Sequence, residues 1–259
     1  MSVQLLDQMR RINRLLHYES GNVVSFGDIC RVLGGELGAA VAVISNKGKI
    51  LGTGGGREAD SLWKGLEPGD FIDGALNERL LNILSTQENA SLAALGFSSG
   101  QAKGVHAIVA PVEISRVRLG NLLICRKGPD FQVDEIILTE HATMIVGLEM
   151  RRSLNEESAA ELRKKQMVRT AVGALSVSEV EAVRYILDEL NGREGILVAS
   201  KVAERVGITR SVIVNALRKL ESAEIIEARS SGMKGTYIRI LNEFIGPGIA
   251  EVAEEPKES

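Results

Sequence analysis

A segment near the C-terminal end, residues 199–218, constrains what this chain can fold into more than any other part of it. In it a small residue, Ala203, is followed by Gly207 and then by the aliphatic Ile213. A helix-turn-helix needs this order: a small side chain where its helices cross, a glycine that can take positive φ in the turn, and a buried anchor in its second helix. Thr209 is placed to cap that second helix. The spacing therefore predicts a helix-turn-helix.

The second predicted helix has an apolar and a polar face. At 100° per residue, one side collects Val212, Ile213, Ala216, Leu217 and Leu220. The opposite side carries Asn215, which can bond adenine in two places, and Arg218, which can do the same with guanine. Val214 can touch a thymine methyl, and Arg210 can reach a phosphate or a base edge. The residues predicted to contact DNA in the two helices are Ser200, Lys201, Thr209, Arg210, Ser211, Val214, Asn215, Arg218, Lys219 and Ser222.

A hairpin follows the second predicted helix. Its strands, Ile225–Arg229 and Thr236–Leu241, are joined by a polar turn with Lys234 at the tip, where it can contact a phosphate. Residues 195–242 carry eight basic and four acidic side chains, although the net charge of the chain is −3. The alternative interpretation is an ordinary helical hairpin with solvated charges. The polar face, the cap, the basic charge and the hairpin together favour a winged helix-turn-helix that binds double-stranded DNA.

The first half of the chain alternates short strands with amphipathic helices. We predict two helices, Leu5–Leu16 and Phe26–Leu37, with a turn at Gly21-Asn22 between them. A hairpin of Ala39–Ser45 and Ile50–Gly52 follows. A second strand pair, Val105–Ile114 and Asn121–Arg126, is predicted around the polar residues 115–118. A loop-and-helix region rich in Gly, Ser and Leu separates the two pairs. Two hairpins flanked by helices indicate an antiparallel sheet and hence an α+β domain of the sensor type.

The pattern becomes helical at Asp134 and stays so to about Ala171. Its apolar face ends at Leu148 and charged residues follow, which is typical of a helix that links two domains. Ser178 and Glu181 have the spacing of a capping box that opens the next helix. We therefore expect a sensor domain at 1–133, a linker helix at 134–176, a DNA-binding domain at 177–245 and a disordered acidic tail at 246–259.

No signal in the sequence indicates catalysis. The glycine run Gly52–Gly56 lacks the spacing of a phosphate-binding loop and is interpreted as a flexible loop over a pocket, with Trp63 as a pocket wall or a lid. The three histidines, Cys30 and Cys125 stand at no metal-ligand or catalytic spacing. A nucleotide hydrolase with a DNA-targeting domain is the alternative function class, and a sensor of cyclic nucleotides or redox state is a third.

The sequence also bears on where the protein acts. Two cysteines without a paired spacing are expected to be packed thiols in a reducing compartment. No apolar stretch is long enough to span a bilayer, so we expect no membrane partner. The expected location is the cytoplasm.

Two stretches carry a resemblance to known proteins: residues 199–223, ASKVAERVGITRSVIVNALRKLESA, and residues 232–238, GMKGTYI. Both closely resemble the CodY family, the GTP-sensing global transcription repressors of low-GC Gram-positive bacteria, and the resemblance is weaker but collinear elsewhere. It implies a GAF-type N-terminal domain that binds branched-chain amino acids, a linker helix and a winged helix. It also implies a homodimer, or a larger assembly, that acts on AT-rich palindromic operators according to nutrient status.

The resemblance implies effector sites with departures from the family pattern. In the family an arginine holds the ligand carboxylate; Ser61 stands at the aligned place, and Arg57 upstream can supply a charge only by a different backbone path. The other aligned pocket residues are Leu62, Gly65, Phe71, Ile72 and Ala75, of which Phe71 matches. The family's Ser-Arg-Arg-Gly-Lys turn, which implies GTP contacts, corresponds here to Ser45, Lys47 and Lys49 within residues 45–49. We expect GTP and a branched-chain amino acid as effectors, or a different small molecule in a diverged pocket.

A last departure from the family is Glu224, which stands where the family has glycine after the recognition helix. If the backbone there is left-handed, glutamate costs about 1 kcal/mol relative to glycine. Such a cost is local and leaves the fold intact.

Overall fold

A computed structural model of the chain describes residues 3–14, 25–55, 66–97, 104–190, 192–230 and 235–254. The chain divides into two compact units, Met1–Asn155 and Glu156–Ser259. The elements of the first unit are α1 Val3–Asn13, α2 Phe26–Leu37, β1 Ala40–Ser45, β2 Ile50–Gly54, α3 Gly74–Leu81, β3 Gln87–Ser91, β4 Val105–Ile114, β5 Val117–Lys127 and the first part of α4, Val133–Gly173.

The first unit is built on a five-stranded sheet in the order β2-β1-β5-β4-β3. Each neighbouring pair is antiparallel. Alternate side chains of β1 point to opposite faces, so that Val41 and Val43 pack with α1, α2 and α4, whereas Ala42 and Ile44 pack with α3. The predicted α+β class with an antiparallel sheet is confirmed, and the sheet is covered by helices on both faces.

The strands differ in two places from the prediction. Ser115 and Arg116 alone form the second hairpin turn, both with positive φ (53° and 64°), so the adjacent Val117 and Arg118 belong to β5 rather than to a loop. Positive φ at both central residues is what a two-residue turn between twisted strands requires. The strand β3 was not predicted, because its sequence QENAS is polar and mostly exposed, without an apolar alternation. The predicted turn at Gly21-Asn22 lies outside the described residues.

The glycine run after the first hairpin turn is not the flexible loop that we predicted. Gly52 and Gly54 lie within β2. A Cβ atom on Gly52 would come within 2.5 Å of the backbone carbon of Phe26, and one on Gly55 within 2.4 Å of the Cα atom of Gly34. These glycines are therefore needed because α2 crosses β2 at backbone distance. The last residue of the run, at position 56, lies outside the described part of the chain.

The second unit is a winged helix-turn-helix. Its elements are α5 Val177–Leu190, β6 Glu194–Leu197, α6 Ala199–Val206, α7 Arg210–Ser222, β7 Ile226–Ser230, β8 Thr236–Ile240 and α8 Ile245–Glu254. Strands β7 and β8 form the predicted wing hairpin, and β6 extends it to an antiparallel sheet in the order β6-β8-β7. The sequence did not predict β6, whose four residues are too few to show a period. The wing tip with Lys234 lies outside the described residues.

The helix α4 belongs to both cores rather than being a bare linker. Leu138 and Val146 are buried in the core of the first unit, and Val168 and Val172 are buried in the core of the second. The predicted boundaries at 134 and 176 match the helix within three residues. The domain that contains the helix-turn-helix therefore begins inside this helix and not at 177, because the last turns of α4 supply apolar side chains to its core.

The acidic segment after the wing is also different from the prediction. Residues 245–254 form α8, in which Ile245 and Ile249 are each 1% exposed. The Asn242 side chain, just before the helix, donates a hydrogen bond of 2.9 Å to the carbonyl of Lys164 on α4. Residues four apart lie on the same face of a helix, so both isoleucines can be buried together. The acidic composition of the segment predicts disorder only if this apolar pair is left out of account. The predicted disordered tail is thus corrected for residues 246–254.

The capping box at the start of α5 lies two residues earlier than predicted. The backbone N–H of Ser176 donates to Glu179 Oε2 at 2.7 Å, and that of Glu179 donates to Ser176 Oγ at 3.3 Å. Ser178 and Glu181 have the same spacing, so the local pattern fits two registers. The structure selects Ser176 because its partner Glu179 is buried against Lys219 of α7.

We predict that Glu224→Gly stabilises the protein. Glu224 has φ of 55° in the turn after α7, where a Cβ atom is strained and glycine is not. The free energy of unfolding, measured by urea titration, should rise by about 1 kcal/mol. Glu224→Ala is the matched control, since it removes the same carboxylate but keeps the Cβ atom. A glycine variant no more stable than the alanine variant would contradict the prediction.

Candidate nucleic-acid interface

The two helices of the predicted motif meet at the residues that the spacing singled out. Gly207 ends α6 with φ of 71°, and its backbone N–H donates to the carbonyl of Ala203. Ala203 and Ile213 are both buried in the core of the second unit. Thr209 has the extended backbone of an N-cap, but its hydroxyl lies 2.7 Å from Ser211 Oγ instead of capping a helix N–H. The helix-turn-helix is confirmed. Thr209 stands at the N-cap position of α7, but its side chain makes no capping hydrogen bond.

The polar face of α7 is exposed, as predicted. Ser211, Asn215, Arg218 and Ser222 are exposed, and Val214 beside them is half-buried. Ser200 and Lys201 are exposed at the start of α6. In the part of the chain that the structure describes, the side chains of Asn215 and Arg218 form no hydrogen bond or ion pair. The polar groups on this face are therefore free to bind another molecule.

Six cations on the two helices and the wing strands fall into two groups. Arg205 contacts Tyr185 and Glu189, and Arg229 and Arg239 both pair with Glu227. Lys201, Arg210 and Arg218 have no acidic partner among the described residues. Unpaired cations are the ones that can take a phosphate or a guanine without first breaking an internal contact. Lys201, Arg210 and Arg218 lie on the helix-turn-helix itself.

Lys219 is the exception among the predicted contacts. Its Nζ donates to Glu179 Oε2 at 2.7 Å and to the carbonyl of Ala174 at 3.0 Å. The ammonium group is therefore engaged within the protein, unlike the side chains of Asn215 and Arg218, and its role as a DNA contact stays a prediction. The sequence could not show this, because Glu179 is 40 residues away and both residues carry charges that are usual on a solvated surface.

The end of the polar face also borders a groove within the second unit. Arg218 and Ser222 line it from α7, and Arg163, Gln166 and Met167 line it from α4. The groove has a volume of about 890 Å³. Proximity of Arg163 to Arg218 was not predicted, since nothing in the sequence pairs these two helices.

The predicted amino-acid pocket is brought together only in part. Ile72 is 8% exposed and packs under the sheet with Ile50 and Leu76, whereas Phe71 is 63% exposed. Ala75 is exposed on α3. The structure thus does not place Phe71 and Ala75 in the buried cluster that holds Ile72, because successive side chains here face opposite ways. The remaining members, Arg57, Ser61, Leu62 and Gly65, lie outside the described residues, as does Trp63.

The turn at residues 45–49, which the family resemblance implies as a GTP contact, is held by hydrogen bonds. Ser45 Oγ accepts a hydrogen bond of 3.0 Å from the backbone N–H of Lys49. The Asn46 side chain donates to the carbonyl of Arg118 at 3.1 Å. Lys47 and Lys49 are exposed and have no acidic partner in the described part of the chain. The turn therefore presents two ammonium groups, the chemistry that a phosphate group needs, whereas the Ser45 hydroxyl is used within the turn.

The described residues contain no cluster of three or more His, Cys, Asp and Glu side chains that can hold a metal ion. Burial raises the pKa of the Cys30 thiol to about 12 and that of Cys125 further still. Both thiols are therefore protonated and unreactive at neutral pH. No described helix is both long and apolar enough to cross a membrane.

Comparisons with known proteins agree with this arrangement. Residues 4–174 match the model of the CodY GAF-like domain, and residues 193–252 match that of the CodY helix-turn-helix domain. The global transcriptional regulator CodY of Clostridium botulinum (strain Alaska E43 / Type E3) is 46% identical over 248 residues, which cover 92% of this chain and 95% of the relative. The regulator of the same name from Clostridium acetobutylicum is 42% identical over 254 residues, covering 96% of this chain and 98% of the relative.

Among solved structures, the cofactor binding GAF domain of the nutrient sensor CodY from Clostridium difficile covers 58% of this chain and 99% of its own, with 29% identity and a TM-score of 0.44. The two family models and the full-length relatives exclude the nucleotide hydrolase, because they describe a regulator and not an enzyme. With a GAF-like domain followed by a helix-turn-helix, and relatives aligned over almost the whole length, the chain belongs to the CodY family of global transcriptional regulators.

Proposed function

We propose that the chain regulates transcription by placing the exposed face of α7 in the major groove of an AT-rich palindromic operator, as a dimer whose DNA affinity depends on a small-molecule effector. The observation that carries the proposal is the free polar face of α7, with Asn215 and Arg218 exposed and unpaired among the described residues. Such a regulator acts on bacterial chromosomal DNA, and hence in the cytoplasm.

The chemistry of the face supports base recognition. An asparagine amide can bond adenine N6 and N7 together, and an arginine can bond guanine O6 and N7. Ser200, Lys201 and Arg210 lie at the starts of α6 and α7 and are suited to phosphates, which fix the register of the protein on the duplex. Lys234 lies between the wing strands β7 and β8 in the sequence, and a lysine in a wing of this kind is suited to a second phosphate contact.

A palindromic operator calls for a dimeric protein. Two recognition helices are needed for a palindrome, one for each half-site, about one helical turn or a multiple of it apart. The first part of α4 carries a stripe of exposed apolar side chains, Ile137, Met144 and Leu148, of which Met144 is 62% exposed. Exposed apolar stripes of this kind mark association surfaces, and a second copy presents the same stripe.

The effectors of the first unit in this proposal are GTP and a second small molecule. The solved domain from Clostridium difficile is described as cofactor binding, and the family resemblance names GTP and branched-chain amino acids. Lys47 and Lys49 are suited to the phosphates of GTP. Ser61, in place of the family's arginine, and the altered walls of the pocket weaken the case for a branched-chain amino acid and favour a different small molecule.

Asn215→Ala and Arg218→Ala should each weaken specific DNA binding by about 1–3 kcal/mol, because each removes a bidentate contact to a base. The measurement is fluorescence anisotropy on a duplex that the wild-type protein selects from a random-sequence pool, compared with a scrambled duplex. Affinity for the scrambled duplex should change much less.

The matched control for these two variants is Arg184→Ala, which removes an exposed arginine from α5, outside the helix-turn-helix. Its affinity for both duplexes should stay near that of the wild type. Equal losses on selected and scrambled DNA for Asn215→Ala and Arg218→Ala would show that this face does not recognise bases.

The full chain should sediment as a dimer or larger in analytical ultracentrifugation. Met144→Glu should weaken association, because it places a charge within the apolar stripe of α4. Leu84→Glu is the control, since Leu84 is 86% exposed but lies outside α4. A monomeric wild type that binds one isolated half-site tightly would contradict the prediction.

Isoleucine should bind the full chain weakly or not at all in calorimetry, with leucine and valine titrated in parallel. A carboxylate moved from water into an apolar pocket needs a charged partner, and the aligned position holds Ser61. Micromolar affinity for isoleucine would refute this expectation. In that case, loss of the affinity in Arg57→Ala would identify the residue that replaces the family's arginine.

A further inference from the structure

Three helices of the second unit meet at one polar contact, the Lys219 node, which consists of Lys219, Glu179, Ser176 and Ala174. From α7, Lys219 Nζ donates to Glu179 Oε2 at 2.7 Å and to the carbonyl of Ala174, directly after α4, at 3.0 Å. The same Glu179 oxygen accepts the backbone N–H of Ser176 at 2.7 Å. The node therefore joins the end of α4, the start of α5 and the recognition helix.

The carboxylate in this node depends on its partners. Glu179 is 6% exposed, and a carboxylate at such a site is costly unless it is paired and hydrogen-bonded. Burial raises the pKa of the Glu179 carboxyl, but the hydrogen bonds from Lys219 and Ser176 outweigh it and leave the pKa below its ordinary value. The carboxylate is therefore ionised at neutral pH, and removal of Lys219 would leave it without its counter-charge.

We propose that Lys219 is a positioning residue for DNA recognition: through Glu179 and the Ala174 carbonyl it fixes α7 against the ends of α4 and α5, and so orients the face that carries Asn215 and Arg218. The inference rests on the proposed function, in which α7 recognises DNA. Arg218 and Lys219 are neighbours in sequence, yet the Arg218 side chain has no partner among the described residues, whereas that of Lys219 is engaged within the protein.

A positioning role also has a consequence for regulation. The last turns of α4 are part of the core of the second unit through Val168, Ala171 and Val172. A movement of the end of α4 therefore acts on α7 through this core and through the Lys219 node together. The polar contact adds a directional restraint, since both acceptors must stay within hydrogen-bond distance of one ammonium group.

The alternative is that Lys219 contacts a DNA phosphate, and the two roles predict opposite results for Glu179→Gln. In the positioning role, Glu179→Gln weakens specific binding, because the amide no longer holds the ammonium group by charge. In the phosphate role, the variant binds as tightly as the wild type or more tightly, because it removes a negative charge and frees Lys219.

The experiment measures affinity for the selected duplex across a salt series with Lys219→Met, Lys219→Arg, Glu179→Gln and the double variant Lys219→Met/Glu179→Gln. We expect Lys219→Met and Glu179→Gln each to lose about tenfold, the equivalent of about 1.4 kcal/mol, with an unchanged salt slope. Lys219→Arg should stay within about twofold of the wild type, because arginine keeps the charge and the donors. The double variant should lose no more than either single variant, as coupled residues do.

Circular dichroism on each variant shows whether the protein is folded at the binding temperature, which separates positioning from simple loss of stability. Glu179→Gln keeps the shape of the side chain. The direction in which it changes DNA affinity distinguishes the two roles of Lys219 even where Lys219→Met unfolds the protein. A salt slope reduced by about 0.9 in Lys219→Met, or unweakened binding in Glu179→Gln, would overturn the inference. Absence of specific binding by the wild type would instead refute the proposed function, and the inference with it.

Discussion

The burial of one face of α7 is the constraint on which the rest of the DNA-binding unit depends. Ile213, Ala216, Leu217 and Leu220 lie in the core of the second unit. Full burial of a large aliphatic side chain stabilises by roughly 1.5–3 kcal/mol, so this face fixes how α7 is rotated about its axis. Because side chains on a helix are 100° apart, the same rotation turns Asn215 and Arg218 outward. The burial of the apolar face and the exposure of these two polar side chains are thus set by one helical orientation.

The cations of the helix-turn-helix and the wing strands differ in whether they have a partner within the protein. Arg205, Arg229 and Arg239 are matched by tyrosine or glutamate partners, whereas Arg210 and Arg218 keep their guanidinium groups free within the described residues. Surface ion pairs add little stability, but a pair removes a cation from those that can bind phosphate. The eight basic residues that the sequence shows over residues 195–242 therefore overstate how many cations of that segment are available to DNA.

In the first unit, too, close packing holds in place a segment with exposed charged side chains. Gly34, Gly52 and Gly55 let α2 lie against β2 at backbone distance, and this contact holds the strand that leads out of the Lys47–Lys49 turn. The turn is further held by Asn46, whose amide donates to β5. A turn held in this way, whose two ammonium groups have no acidic partner among the described residues, is suited to an anionic effector, because little order has to be gained on binding.

Local patterns in the sequence determined much of this protein: the helix-turn-helix from Ala203, Gly207 and Ile213, the helix from Phe26 to Leu37, and both hairpins of the first unit. These features are encoded within a few residues by period, turn chemistry and caps. Only the tertiary structure decided which of two capping boxes opens α5, that the acidic segment after Asn242 forms α8, and that Lys219 is engaged with Glu179. Each of those depends on a partner far away in the chain, such as Val168 for α8, and a local pattern carries no information about such a partner.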